Sequence, residues 1–382
     1  MFKRVFLIVL DSVGIGEKED SKLYNDIGVN TFMHAIDGID YTYPNFRKMG
    51  MFNLTLDKNE EAIAYHLKLD EVSNGKDTLT GHLEMMDVIT TKPFKTFMNG
   101  FPDEIIKKIE EISGRKVIGN CVASGTEIIK ELGDRQMKTG ELIVYTSADS
   151  VLQIAAHEDV IPLDELYRIC SEIREFTKKE EYKVGRIIAR PYIGSNGNFT
   201  RTPNRHDYAL NPAHETVLDK LKKNNYDVIA LGKIADVFNN CGITKSTKTK
   251  DNLDGILKII ETEKQDFTGL CFANLNDFDS KYGHRRNKIG YGNALKEFDN
   301  YLDEIINNLK DDDLLMITAD HGNDPTYIGT DHTREYTPLI IYSKQFKEPK
   351  KLDTIKCFNV IGNTILDNFK IEHENSILDK LK

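Results

Sequence analysis

The sequence predicts an α/β protein: a doubly wound sheet core interrupted by an inserted α+β domain. Short continuous apolar runs, such as Val5 to Leu10 and Leu314 to Thr318, have the character of strands buried on both faces of a parallel sheet. These runs alternate with amphipathic segments of helical period. Several of them stop abruptly at an acid followed by a glycine-bearing loop, which is where open α/β sheets bind their ligands.

At 382 residues the chain is too long for one small core, and two domains are expected. A chain 40% apolar and 29% charged has an ordinary globular composition. No apolar run approaches the roughly 20 residues of a membrane helix. The amino terminus has the basic start of a signal peptide, but its apolar stretch runs straight into Asp11 without a small-residue cleavage site, so it reads as a first buried strand. Five scattered cysteines (Cys121, Cys170, Cys241, Cys271 and Cys357) with no Cys-x-x-Cys pair argue for a reducing, cytoplasmic setting and against a thiolate zinc site. A net charge of −10 argues against nucleic acid as partner, and nothing suggests a membrane partner. A phosphorylated substrate would then need locally concentrated positive charge.

Taken in order, Val5 to Leu10 ends in Asp11-Ser12-Val13-Gly14-Ile15-Gly16; it lacks the third glycine and the helix of a dinucleotide fingerprint. Ser73 to Glu84 contains Gly75, Asp77, Thr78, Thr80, Gly81 and His82, a loop turning into a helix amino terminus that would favour an anion. Beyond about Thr91 the texture changes. Helices over Pro102 to Ile112 and Leu163 to Lys178, a strand at Leu142 to Thr146, a basic β-branched stretch from Lys183 to Tyr192 and a cationic loop from Asn198 to Arg205 mix without strand-end acids. Residues 93–209 therefore read as an inserted cap, with residues 1–92 and 210–382 as the core. Arg186, Arg190, Arg201 and Arg205 supply guanidinium groups suited to phosphate.

After Asp207 the alternation resumes. A helix from about His214 to Lys223 precedes a strand from Tyr226 to Leu231, which ends in Gly232-Lys233. A helix from Asn252 to Glu263 leads to a strand from Thr268 to Leu275, followed by Asp277, Asp279 and His284. A helix over Asn293 to Leu309 precedes the strand that ends in Asp320-His321-Gly322-Asn323, with His332 beyond; a strand at Pro338 to Tyr342 and a helix from Phe358 to Phe369 close the chain.

Asp11, Asp279 with His284, and Asp320-His321 with His332 thus sit after three strands whose ends converge in a doubly wound sheet. Their donors are carboxylate oxygen and imidazole nitrogen without sulfur, which suits two divalent cations, Mn²⁺ before Zn²⁺. A pair of such ions stabilises the attacking and leaving oxygens of phosphoryl displacement and would make Thr78 a candidate nucleophile. His34, His66, His157, His206, His214 and His373 lack this context and read as surface or structural; His82 borders the threonine loop.

Asp11-Ser12, Gly75-Lys-Asp-Thr-Leu-Thr-Gly-His82, Tyr145-Thr-Ser-Ala-Asp-Ser150, Asp277-Phe-Asp-Ser-Lys-Tyr-Gly-His284, Thr318-Ala-Asp-His-Gly-Asn323 and Asp331-His-Thr333 together resemble the phosphopentomutases of the alkaline phosphatase superfamily. The similarity spans essentially the whole chain. The resemblance implies an alkaline-phosphatase-like core with a cap, one metal on Asp11, Asp320 and His321, and the other on Asp279, His284 and His332. It also implies phosphoryl transfer through Thr78, by analogy with the nucleophilic serine of the related phosphoglycerate mutases, and a pentose phosphate substrate contacted by Ser147, Asp149, Arg201 and Lys233, with Arg186 or Arg205 as substitutes for Arg201. Two divalent ions, most naturally Mn²⁺, and an activating sugar bisphosphate such as glucose 1,6-bisphosphate are the implied cofactors. Another mutase or phosphatase of the superfamily, such as a phosphoglycerate mutase, or a non-catalytic sugar-phosphate binder, is the alternative. The sequence departs from the family at Leu83, where tryptophan is expected, and near Asp87, where glycine is expected.

Overall fold

The computed structural model describes residues 1–147 and 150–381. The chain forms two compact units, Met1–Lys92 with Pro212–Lys382, and Pro93–Asn211. In chain order the strands are β1 (Arg4–Leu10) and β2 (Tyr65–Asp70) in the first unit; β3 (Val117–Val122), β4 (Leu142–Thr146), β5 (Val151–His157), β6 (Arg186–Ser195), β7 (Asn198–Arg201) and β8 (His206–Ala209) in the second; and β9 (Asp227–Leu231), β10 (Lys245–Thr247), β11 (Gly269–Leu275), β12 (Asp313–Thr318), β13 (Thr337–Tyr342) and β14 (Ile355–Lys356) in the first again.

The first unit's sheet runs β10-β9-β11-β1-β12-β13-β2-β14. Its β9, β10, β11, β1 and β12 are parallel, and β13 is antiparallel to both β12 and β2. On one face Phe6, Ile8, Leu10, Cys271, Ala273, Leu275, Leu315 and Ile317 pack against helices Asn252–Glu263 and Lys288–Asn308. On the other, Phe272 meets the ring of Phe238 at 6.0 Å and that of His82, from helix Thr78–Met85, at 5.8 Å. Both faces are covered, which is why β1, β11 and β12 are buried along their whole length and largely apolar instead of alternating. The expected α/β class holds, with two mixed sheets.

Caps decide where the helices begin. Asp251 accepts from Asp254 N and starts Asn252–Glu263 as expected. Thr216 and Asp219 form a capping box, so the helix that precedes β9 begins at Val217. Asn287 accepts from Gly290 N, starting the long helix at Lys288, five residues before its apolar periodicity becomes clear at Asn293.

The second unit's sheet runs β3-β4-β5-β6-β7, with β8 also on β6. Helices Asp103–Ser113 and Leu163–Phe176 cover one face, and Gly125–Thr139 packs Ile128 and Ile129 on the other. The stretch Asn198 to Arg205, expected as a loop, begins instead as β7. Asn196 and Gly197 take φ of 53° and 76°, making a tight hairpin turn that pairs Asn198–Arg201 with β6. Among the described residues no helix is long and apolar enough to cross a membrane.

Candidate metal centre

Four adjacent parallel strands deliver polar residues to one edge of the first sheet. Lys233 follows β9, Asp279 follows β11, Asp11 follows β1 and Asp320 follows β12. Register aligns them, because Val9 lies beside both Asn274 and Thr318. Between Asp279 and His284 the chain takes a π turn over Phe278–Gly283, with His284 N donating to Asp279 O at 3.1 Å. A π turn brings residues five apart together, so His284 Nε2 reaches Asp279 Oδ2 at 3.2 Å. A two-way backbone pairing of Gly322 with Thr333 carries His332 back, and its ring centroid stands 4.1 Å from that of His321.

All six expected ligands meet at this edge. His332 Nε2 lies 3.3 Å from Asp279 Oδ1 and 3.0 Å from His284 Nε2. His321 Nε2 lies 3.5 Å from Asp11 Oδ1 and 3.4 Å from Asp320 Oδ2. Donor atoms of Asp279, His284 and His332 fall within 4.8 Å of one another, as do those of Asp11, Asp279 and His321. Asp279 thus borders both groups, a sharing that the strand-by-strand reading did not contain.

Thr78 opens helix Thr78–Met85 over this cluster. Its Oγ1 is 3.3 Å from His321 Nε2 and accepts from Lys233 Nζ at 3.1 Å, while Lys233 Nζ stands 3.6 Å from Asp11 Oδ2. Thr80 is occupied otherwise: Asp77 caps its backbone N–H at 3.1 Å and accepts its hydroxyl at 2.6 Å. Gly81 lets the helix lie flush on the strand end, since a Cβ there would overlap the Asp320 carbonyl. Lys233, expected with the sugar-phosphate contacts, stands beside Thr78.

A family model described as the metalloenzyme superfamily matches residues 3–373. The chain belongs to the metalloenzyme superfamily. Among solved structures, a Pyrococcus horikoshii protein covers 98% of this chain and 99% of its own at 13% identity, with a TM-score of 0.53, and shares the fold. A phosphoglycerate mutase from Leishmania mexicana covers 98% of this chain and 97% of its own at 11% identity and a TM-score of 0.48. A Vibrio parahaemolyticus protein in the alkaline phosphatase superfamily covers 97% of this chain and 67% of its own at 12% identity and a TM-score of 0.45.

The donor set of this metalloenzyme fits cations. Among the described residues Asp11 Oδ1 is buried without a hydrogen-bond partner, and Asp320 Oδ2 is buried beside the imidazoles of His82 and His321. His284 Nδ1 meets the Thr330 carbonyl at 2.7 Å and His321 Nδ1 the Gly322 carbonyl at 3.0 Å, so each ring donates there and turns the Nε2 lone pair inward. Lone pairs and carboxylates facing one another call for positive charge between them. Left to themselves the groups strain for protons: burial and Asp320 push the Asp11 carboxyl up, while Asp320, Asp279 and Asp11 raise His321 against its burial. Burial pushes Asp279 up too, but His332 and His284 more than offset it and hold it well below the usual range.

Supporting contacts went unread in the sequence. Asn274 Nδ2 donates to Asp11 Oδ2 at 3.0 Å from inside β11, and nothing in an apolar run signals it. Asn323 Nδ2 donates to Asp279 Oδ1 at 2.8 Å and is itself held by Arg286 at 2.5 Å; its place after Asp-His-Gly was a usable hint. Ser12 N donates to Asp320 Oδ1 at 2.9 Å. His82 Nδ1 lies 2.8 Å from the Thr78 carbonyl and 3.1 Å from Asp320 Oδ2, fixing the helix that opens at Thr78 to the strand end. Asp87, near which the resemblance led to the expectation of a glycine, takes φ of 71°, in the left-handed region that favours glycine.

Within the second unit, Arg190 Nε donates to Gln153 Oε1 at 3.0 Å, and burial with Arg205 and Arg201 nearby pushes Arg190 down to about 10. Among the described residues the Tyr145 hydroxyl is buried without a hydrogen-bond partner; burial pushes it up, against the charges of Arg190, Arg201 and Arg205. Arg186 and Arg205 reach Asp207 at 3.6 and 2.6 Å. Ser147 follows β4, and Asp149 lies outside the described residues.

Proposed function

We propose that this metalloenzyme is a phosphopentomutase, interconverting ribose 5-phosphate and ribose 1-phosphate, and the 2-deoxy sugars, by way of phosphothreonine at Thr78. The observation that carries this reading is the Thr78 hydroxyl, 3.3 Å from His321 Nε2 and 3.1 Å from Lys233 Nζ, over the acid and imidazole cluster. Asp11, Asp320 and His321 would hold one divalent ion, and Asp279, His284 and His332 the other, most naturally Mn²⁺. When bound, such a pair stabilises charge on the attacking and leaving oxygens of an in-line displacement.

The chain's own residues have distinct tasks. The phosphoryl group passes from the Thr78 oxygen to the free sugar hydroxyl, giving a 1,5-bisphosphate; the other phosphoryl group then returns to Thr78. Lys233 offsets charge on the Thr78 oxygen at each transfer, and the helix amino terminus offers N–H groups to the phosphoryl oxygens. Asp77 keeps Thr80 out of competition. The guanidinium groups of the second unit, Arg201 foremost, with Ser147 and Asp149, would bind the pentose phosphate in bidentate fashion. A sugar bisphosphate such as glucose 1,6-bisphosphate would prime Thr78, and the setting would be cytoplasmic.

The test offers the primed protein ribose 5-phosphate and 3-phosphoglycerate in parallel. Ribose 1-phosphate is the expected product; turnover of the glycerate alone would overturn this reading in favour of a phosphoglycerate mutase.

A further inference from the structure

The segment that carries His332 continues into Arg334, whose side chain is only 2% exposed. It lies against the loop that joins β2 to Thr78. Its Nη1 donates to the Gly75 carbonyl at 2.5 Å and to the Glu71 carboxylate; its Nη2 donates to the Glu71 carbonyl at 2.8 Å and to Asp20 Oδ2 at 2.9 Å; and its Nε points at Asp20. Every N–H of the guanidinium is used, and three of its bonds end on Glu71 or Gly75. From the other side Glu84 accepts Val72 N at 3.0 Å and Ser73 N at 2.6 Å. The loop is therefore held between a guanidinium and a carboxylate, three residues before the hydroxyl that reacts.

We infer that Arg334 is a positioning residue for Thr78: it locks the loop that carries the nucleophile to the segment that carries His332, so that hydroxyl and ligand cluster move as one body. This rests on the reading of Thr78 as phosphoryl acceptor. A neighbouring link has the same direction, since Lys76 reaches Asp26 at 3.0 Å and Asp331 at 3.2 Å, while Arg334 N donates to Asp26 at 2.8 Å. Lysine cannot replace the arginine. Its three donors radiate from one atom, whereas the acceptors here surround a planar fork.

The experiment measures phosphate uptake on Thr78 from glucose 1,6-bisphosphate, by mass spectrometry of the Thr78 peptide, in the unmutated protein, R334K and E71Q. Metal content and melting temperature are followed alongside. R334K is expected to take up phosphate about 100-fold more slowly at saturating donor, the scale of a displacement near 1 Å, with metal content unchanged. E71Q keeps an acceptor and is expected to slow by about fivefold on the same principle; it decides the matter if R334K does not fold. Wild-type rates in a folded variant, or slowing that only tracks lost metal, would overturn the inference. Failure of the unmutated protein to take up phosphate would instead remove the phosphothreonine reading beneath it.

Discussion

The two sheets carry their polar residues in different places. In the first, the strands are buried and largely apolar, and Asp11, Asp279, Asp320 and Lys233 come just beyond the carboxyl ends. In the second, Gln153, Arg186 and Arg190 lie within strands. An edge collects residues from several strands at one point and walls them in, which suits donors that must face a small cation. A sheet face spreads its charges over a surface, which suits an extended anion. Burial differs as well: Asp11 and Asp320 are fully buried, whereas Arg186 and Arg190 are half-buried and Arg201, on β7, is exposed.

The sharpest way to break the comparison is Thr78→Ala against Thr80→Ala. Loss of the edge hydroxyl is expected to lower turnover by about 10⁴-fold or more with little change in melting temperature. Loss of the capped hydroxyl is expected to cost about 1 kcal/mol of stability and leave most activity. Equal losses would mean that the wrong threonine has been chosen.

Asn323→Ala comes next. Removing the donor that orients Asp279 is expected to weaken metal affinity by about 10- to 100-fold, read by titration with Mn²⁺ and by metal analysis. An unchanged affinity would detach Asp279 from the ion sites. On the second sheet, Arg201→Ala is expected to raise KM by about tenfold with kcat nearly unchanged, the scale of one charge-assisted contact. A fall in kcat alone would contradict the division between edge and face.

The smallest effect concerns a buried acid away from both sites. Burial pushes Glu263 up to about 8 from an ordinary value of 4.5. The folded chain then holds a proton that the unfolded chain releases, so this contribution to stability is complete below pH 4.5 and is lost as pH rises towards 8. Glu263→Gln is expected to flatten the fall in melting temperature between pH 5 and pH 8; an unaltered slope would place the titration elsewhere.

Asp11 and Asp320 were legible as strand-end acids because their signal is local: an apolar run, then an acid at the strand's end; Lys233 entered only through the family resemblance. Asp279 and His284 were legible as a pair, but not the π turn that joins them, since nothing in the five-residue spacing distinguishes it from an ordinary helical turn. Asn274 and Arg334 stayed hidden because their partners, Asp11 and Glu71, lie 263 residues away in both cases. The Asn196-Gly197 turn is also a local signal, but the charge of the segment that follows it points to a loop and hides the hairpin.

By itself the sequence determined the alternation of elements, the apolar strands, and which acids and imidazoles end them, because hydrophobic period and chain direction are properties of neighbours along the chain. Only the tertiary structure decided that Asp279 borders both groups of donors, that Lys233 stands beside Thr78, and that Thr80 is spoken for by Asp77. Those outcomes depend on strand order and register, which set distances of a few ångströms between residues that no local pattern connects.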